Sequence, residues 1–174
     1  VSATLQIAHC FNDFKTSLGI KDHSRLSDVI EPRQHGDIRL FGLYEQTAAE
    51  VVSEAARPCL VATASHADAQ TIARDIPGSV VRSHEEDLAE ALSRVPPDGV
   101  LVTAGAWAGL DTPFQWASIV IPRVPFPRPK VLNDTIQSHY VVLRNMAVRR
   151  MRQVIGRGLR SPEASCDIYV LDER

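Results

Sequence analysis

Short apolar runs bounded by turn residues recur along the chain at 38–43, 59–63, 80–82, 99–103, 118–121 and 167–171. Runs of this length, rich in Val, Ile and Leu, match strands buried on both faces, as in a parallel sheet. Helical patterns lie between them. Residues 47–56 are rich in Ala, Glu and Val, 66–75 carry Ala69, Ile72 and Ala73, and 85–94 carry Leu88, Ala91 and Leu92. This alternation predicts a three-layer α/β domain with a mostly parallel sheet. A longer helical region follows, in which Val142, Met146, Val148 or Arg149, Met151, Ile155 and Leu159 recur near helical spacing and should bury one face. Ser161 and Pro162 punctuate it before the last run, and Asn133-Asp134-Thr135 offers a cap for an earlier helix. The proline-rich segment 122–129 reads as an extended strand exit.

A chain of 174 residues fits one domain and can bury a sizeable core. Its 44% hydrophobic and 23% charged content is that of an ordinary globular protein. A net charge of −2 by itself does not suggest a nucleic-acid partner. The distribution says more, because Arg144, Arg149, Arg150, Arg152, Arg157 and Arg160 fall in one acid-free stretch. Clustered charge shapes the local potential more than the total does.

Other classes recede. Cys10, Cys59 and Cys166 are odd in number and far apart, with no C-x-x-C, so neither a zinc site nor a disulfide framework is indicated. The histidines show no metal spacing, and Ser83-His84-Glu85-Glu86 reads as a helix start with acids in its first turn. The longest apolar run, near 99–110, is too short for a membrane span, and with no signal peptide visible the default expectation is a cytoplasmic protein. A Walker A loop, G-x-x-x-x-G-K-[ST], needs a lysine that reaches the phosphates. The only lysines, Lys15, Lys21 and Lys130, do not follow a glycine.

The most specific motif is Gln153-Val154-Ile155-Gly156-Arg157-Gly158-Leu159-Arg160, a Q-x-x-G-R-x-x-R on a segment that reads as helical. Guanidinium groups are permanently charged planar forks that match phosphate oxygens, and two held a helical turn apart can converge on one polyphosphate. The pattern resembles motif VI of superfamily 2 helicases. In order along the chain, Ser2-Ala3-Thr4 resembles motif III and Leu60–Ala69 resembles motif IV. Gly105-Ala106-Trp107-Ala108-Gly109-Leu110-Asp111-Thr112-Pro113 resembles motif V as the XPD/DinG-type DNA helicases carry it (F-W-E-G-x-D-x-P), with Ala108 in place of the glutamate. The proline-rich exit 121–129 and Leu171-Asp172-Glu173-Arg174 resemble two further elements of that family, and the stretch between Pro129 and Gln153 is short for it.

The resemblance implies a RecA-like (P-loop NTPase-type) second motor lobe, with 1–5 a motif III remnant of the first lobe and about 38–174 the lobe proper. Arg157 and Arg160 are then the catalytic arginines, reaching across a cleft to the γ-phosphate of ATP, and Gln153 helps sense that phosphate. Gly109 belongs to a tight motif V turn at the nucleotide. Asp111 either orients a motif VI arginine or accepts N–H bonds in its own turn. Thr63, Ser65 and Thr103 line a single-stranded DNA track at the strand exits, where ligands of open α/β sheets collect. Trp107 is either a platform for a base or a core wedge beneath motif V. ATP and Mg²⁺ are expected mainly on the first lobe, and an iron–sulfur cluster is possible only there. The expected partners are that lobe and single-stranded DNA, with no membrane. Without Walker A and B the chain alone should not hydrolyse ATP. The rival expectation is a non-catalytic nucleic-acid-binding or adaptor module derived from a helicase lobe.

Overall fold

The computed structural model describes residues 36–107, 115–126 and 136–173. The motif III residues Ser2 and Thr4, the motif V residues Ala108, Gly109 and Asp111, and the cap 133–135 lie outside the described residues.

Six strands form one sheet: β1 (Asp37–Gly42), β2 (Cys59–Ala62), β3 (Val80–Val81), β4 (Val100–Thr103), β5 (Ser118–Ile121) and β6 (Ser165–Val170). Their order is β1-β6-β5-β2-β4-β3, and every pairing is parallel. The central strands β2, β4 and β5 are buried at every position, as their unbroken apolar runs predict.

Helices cover both faces, because successive strand side chains point to opposite sides. Helix α1 (Ala48–Glu54) and helix α2 (His66–Arg74) pack Ala48, Val51, Val52 and Ala69 against Cys59, Val61, Val102 and Val120. On the other face, α3 (Leu88–Ser93) brings Ala91 and Leu92, and α4 (Ile136–Ile155) brings Val154, onto Leu60, Leu101, Ile119, Cys166 and Ile168. The three-layer α/β reading therefore stands. Among the described residues no helix is long and apolar enough to cross a membrane.

Local signals set the helix starts. Thr47 caps α1 in a reciprocal box: its hydroxyl accepts from Glu50 N–H at 3.3 Å, and the Glu50 carboxylate accepts from Thr47 N–H at 2.7 Å. The bonds that Thr47 N–H and the Thr47 hydroxyl donate to it hold the Glu50 carboxyl below its ordinary range. At the outer edge of the sheet, Arg39 of β1 grips Asp167 of β6 in a bidentate pair (2.6 and 2.9 Å), and Phe41 stacks on Tyr169 with ring centroids 5.2 Å apart.

The structure corrects three local expectations. The third helix begins at Leu88, capped by Asp87, and not at 83–86. Glu86 is drawn elsewhere, accepting from the Arg94 guanidinium (2.5 and 3.1 Å) and from Ser83 N–H (3.2 Å). In the long helix, Val142 and Met146 are exposed, and among the described side chains Ala147 and Val154 are buried. The helix also stops at Ile155. Gly156–Gly158 forms a 3₁₀ turn and Leu159 is already non-helical, so Arg157 and Arg160 do not share an α-helical turn.

Cys59 and Cys166 lie in strands facing the two cores. Burial pushes the Cys166 thiol up to about 12, with the Asp167 carboxylate adding to it, and burial also raises Cys59. The thiolate is the nucleophile, so both should be inert in the folded protein. We expect neither to react with an aromatic disulfide reagent at mildly alkaline pH until the chain unfolds. Peptide mass spectrometry of native and denatured samples checks this; rapid native labelling of Cys166 would contradict its burial.

Candidate functional site

An all-parallel sheet gathers its strand exits on one edge and its strand starts on the other. The residues singled out by the sequence divide between these edges.

At the exit edge, the loops after β2 and β4 are laced together. Thr63 N–H donates to the Thr103 carbonyl at 3.0 Å, and the Trp107 indole N–H donates to the Thr63 carbonyl at 2.8 Å. Thr63 and Thr103 are buried. The Thr63 hydroxyl donates to the Ser65 carbonyl (3.1 Å), and the Thr103 hydroxyl accepts from Gly105 N–H (3.0 Å). Ser65 caps α2 by accepting from Asp68 N–H at 3.1 Å. All three hydroxyls are therefore engaged in shaping the loops. Trp107 is 8% exposed and belongs to the core cluster. Its ring is packed among core side chains.

Residues that sequence reading missed complete this edge. Arg82, just past β3, donates through Nε to the Glu86 carbonyl at 3.0 Å. Its Nη1 lies 2.6 Å from where a Gly105 Cβ would stand, so that glycine leaves room for a guanidinium beside the motif V loop. His66 and His84 meet edge to face at 5.1 Å, joining the start of α2 to the segment after β3. Apart from the position of Arg82 at the end of an apolar run, no sequence signal pointed to these contacts. Among the described residues, no group of three or more His, Cys, Asp or Glu could hold a metal ion.

At the start edge stands the arginine turn. Gly158 packs so tightly on β6 that an added Cβ would meet Cys166 Sγ at 2.5 Å and Cys166 Cβ at 2.7 Å. Gln115 donates its side-chain amide to the Gly158 carbonyl, and Leu159 lies against Gly36 just before β1. Val154, one residue after Gln153, is fully buried. The turn is thus fixed on four sides while Arg157 is half-buried and Arg160 exposed. Gln153, Arg157 and Arg160 all lie on the segment that leads into β6, apart from Thr63, Ser65, Thr103 and Trp107 at the strand exits. With about 3.3 Å rise per residue, a four-residue strand separates the two edges by roughly 13 Å.

The remaining family-like elements pin each other. The Asp172 carboxylate accepts from Val124 N–H at 2.8 Å, and Arg150 donates to the Pro125 carbonyl at 3.3 Å. The L-D-x-R aspartate and the long helix therefore both hold the proline-rich exit of β5.

No protein-family model and no curated protein sequence matches this chain. Solved structures do. An XPD helicase superposes with a TM-score of 0.62 at 17% identity, over 80% of this chain and 32% of that one. A structure named XPD_APO gives 0.64 at 20% identity, over 80% and 36%. Xpd4 of S. tokodaii gives 0.56 at 14% identity, over 88% and 38%. The chain spans about a third of the length of these proteins. At such identities the likeness is one of fold: this chain has the RecA-like α/β fold of an XPD-type helicase lobe.

Two substitutions separate the roles of the motif VI glycines. Gly158→Ala drives a methyl into Cys166 and should cost about 1–3 kcal/mol, as overpacking does. Gly156 has nothing within 4 Å of its would-be Cβ, so Gly156→Ala should leave stability nearly unchanged. Urea unfolding of both variants checks the contrast, and equal midpoints would remove the turn from the core. In the same assay Ser65→Ala should cost about 1 kcal/mol through loss of the α2 cap.

Proposed function

We propose that this chain is the second motor lobe of an ATP-dependent DNA helicase of the XPD/DinG type. Its start edge would face ATP held on a first lobe, and its exit edge would carry single-stranded DNA. The observation that supports the reading most is the arginine turn: a Q-x-x-G-R-x-x-R sequence, in an XPD-type fold, with its backbone locked against β6 at Gly158.

The chemistry asked of these residues is electrostatic. As the γ-phosphoryl group transfers, negative charge spreads over its oxygens. Arg157 and Arg160 are the catalytic residues in this reading, meeting that charge with guanidinium groups that need no protonation step. A rigid mount matters because preorganised charge requires no rearrangement at the moment of reaction. Gln153, on the last turn of α4, would hydrogen-bond the same phosphate. Gly109 and Asp111 keep their proposed places in the motif V turn beside the nucleotide. Mg²⁺ is assigned to the first lobe, as the family resemblance implies; when bound it would neutralise phosphate charge. An iron–sulfur cluster is likewise left to that lobe.

The local bonds of the exit loops suggest how they would meet DNA. Thr63, Ser65 and Thr103 act by holding the two exit loops in shape, and contact to the sugar–phosphate backbone falls to the main chain of those loops. Such contacts position a strand without reading its sequence. Trp107 would act from the core, holding the Thr63 carbonyl through its indole N–H.

In the protein containing both lobes, Arg157→Ala or Arg160→Ala should lower ATP turnover by roughly 10³–10⁵-fold, the range that arginine fingers supply. Folding and DNA affinity should be retained. Steady-state hydrolysis with saturating single-stranded DNA is the measurement, and a loss below about tenfold for both would assign them to structure. The 174-residue chain by itself should show no turnover.

A further inference from the structure

β2 and β5 are neighbours in the sheet, pairing from Cys59↔Ser118 to Val61↔Val120. The chain leaves β2 into α2 on one face and leaves β5 toward α4 on the other. In a parallel sheet this is the switch point, where diverging connections open a crevice at the strand exits. A cleft of about 250 Å³ occupies that position, lined by Thr63, Asp68, Thr71, Ile72, Pro122 and Arg123 among others. Sites enclosing drug-sized ligands run roughly 300–1,000 Å³, so this one suits a single ring system.

Its lining is unusual for a surface that meets DNA. Ile72 and Pro122 provide apolar walls, and Asp68 and Arg123 provide opposite charges. Neither charge has a side-chain partner among the described residues: Asp68 uses its backbone N–H for the Ser65 cap and leaves its carboxylate unengaged. A carboxylate repels phosphate, so the Asp68 wall is unsuited to the DNA backbone. It is suited to the donor edge of a base, because Asp side chains accept from the exocyclic amine of cytosine. Arg123, exposed and lining the same cleft, suits the adjacent phosphate.

We propose that this cleft is a base subsite on the DNA track, admitting one unstacked nucleobase. Asp68 accepts a hydrogen bond from its amino group, and Arg123 pairs with the neighbouring phosphate. The inference rests on the single-stranded DNA reading above and adds base selectivity to it. Thymine, which lacks an amino group and turns carbonyl oxygens toward the carboxylate, is the disfavoured occupant.

Fluorescence anisotropy of this chain with short oligo(dC) and oligo(dT), at mildly alkaline pH and several salt concentrations, tests it. We expect oligo(dC) to bind at least about fivefold tighter than oligo(dT), the low end of what a well-placed side-chain–base contact gives. Asp68→Asn keeps the shape of the side chain and the α2 cap, and should abolish that ratio while raising both affinities. Arg123→Gln should weaken both oligomers alike and reduce the slope of log K against log salt by about 0.7. Equal binding of the two oligomers, or a ratio that survives Asp68→Asn, overturns the base subsite while leaving the DNA reading intact. Failure to bind either oligomer at low salt overturns the DNA reading and the subsite with it.

Discussion

The sheet is closed to water on both faces at its centre, and the placement of every functional residue follows from that. Strands β2, β4 and β5 are four residues each and buried throughout. Such short strands cannot be half-solvated and still hold a domain; they need helices on both sides, hence crossover connections, hence parallel pairing. Parallel pairing then sorts the loops. Every strand exit opens on one edge and every strand start on the other, so two chemistries can occupy one small domain without competing for the same groups.

The exit edge shows how polar side chains behave once they sit at the rim of such a core. Thr63 and Thr103 are buried because their strands are, and a buried hydroxyl without a partner would cost about 1–3 kcal/mol. Each therefore closes a local bond, to the Ser65 carbonyl and from Gly105 N–H. That leaves the backbone and the residues one step further out to face a ligand. Asp68 and Arg123 are of this second kind, reaching past the rim from a helix and a strand exit with their charges unmatched.

Much of this was legible in the sequence. The six apolar runs coincide with the six strands to within a residue or two at their ends, because burial on both faces leaves so few residue types acceptable there. The helical patterns at 47–56 and 66–75 begin within a residue of the helices, whose caps Thr47 and Ser65 are local. A helix start was misread where a distant partner intervened. Glu86 looked like a first-turn acid, but Arg94, eight residues on, draws it into an ion pair and shifts the helix start to Leu88. The motif VI segment looked helical by composition, yet Gly158 is there for the sake of Cys166 on another strand, a contact no local pattern encodes. The switch-point cleft was invisible for the same reason. It depends on β5 lying beside β2, and strand order is a property of the whole chain.

The separation of the two edges bears on how a lobe of this kind would transmit force. Between the arginine turn and the exit loops lie about 13 Å of strand. Leu60, Leu101, Ile119, Ile168 and Val154 are fully buried there. Interiors packed to this degree have low compressibility and do not deform smoothly. On the reading proposed here, nucleotide-driven attraction of Arg157 and Arg160 would therefore not be relayed as strain through the sheet. It would move the lobe as a rigid body, carrying the exit loops with it. The tight seating of Gly158 on β6 and the tethering of the β5 exit by Asp172 and Arg150 serve the same end. They fasten the turn and the track to one stiff core, so that displacement at one edge appears undiminished at the other.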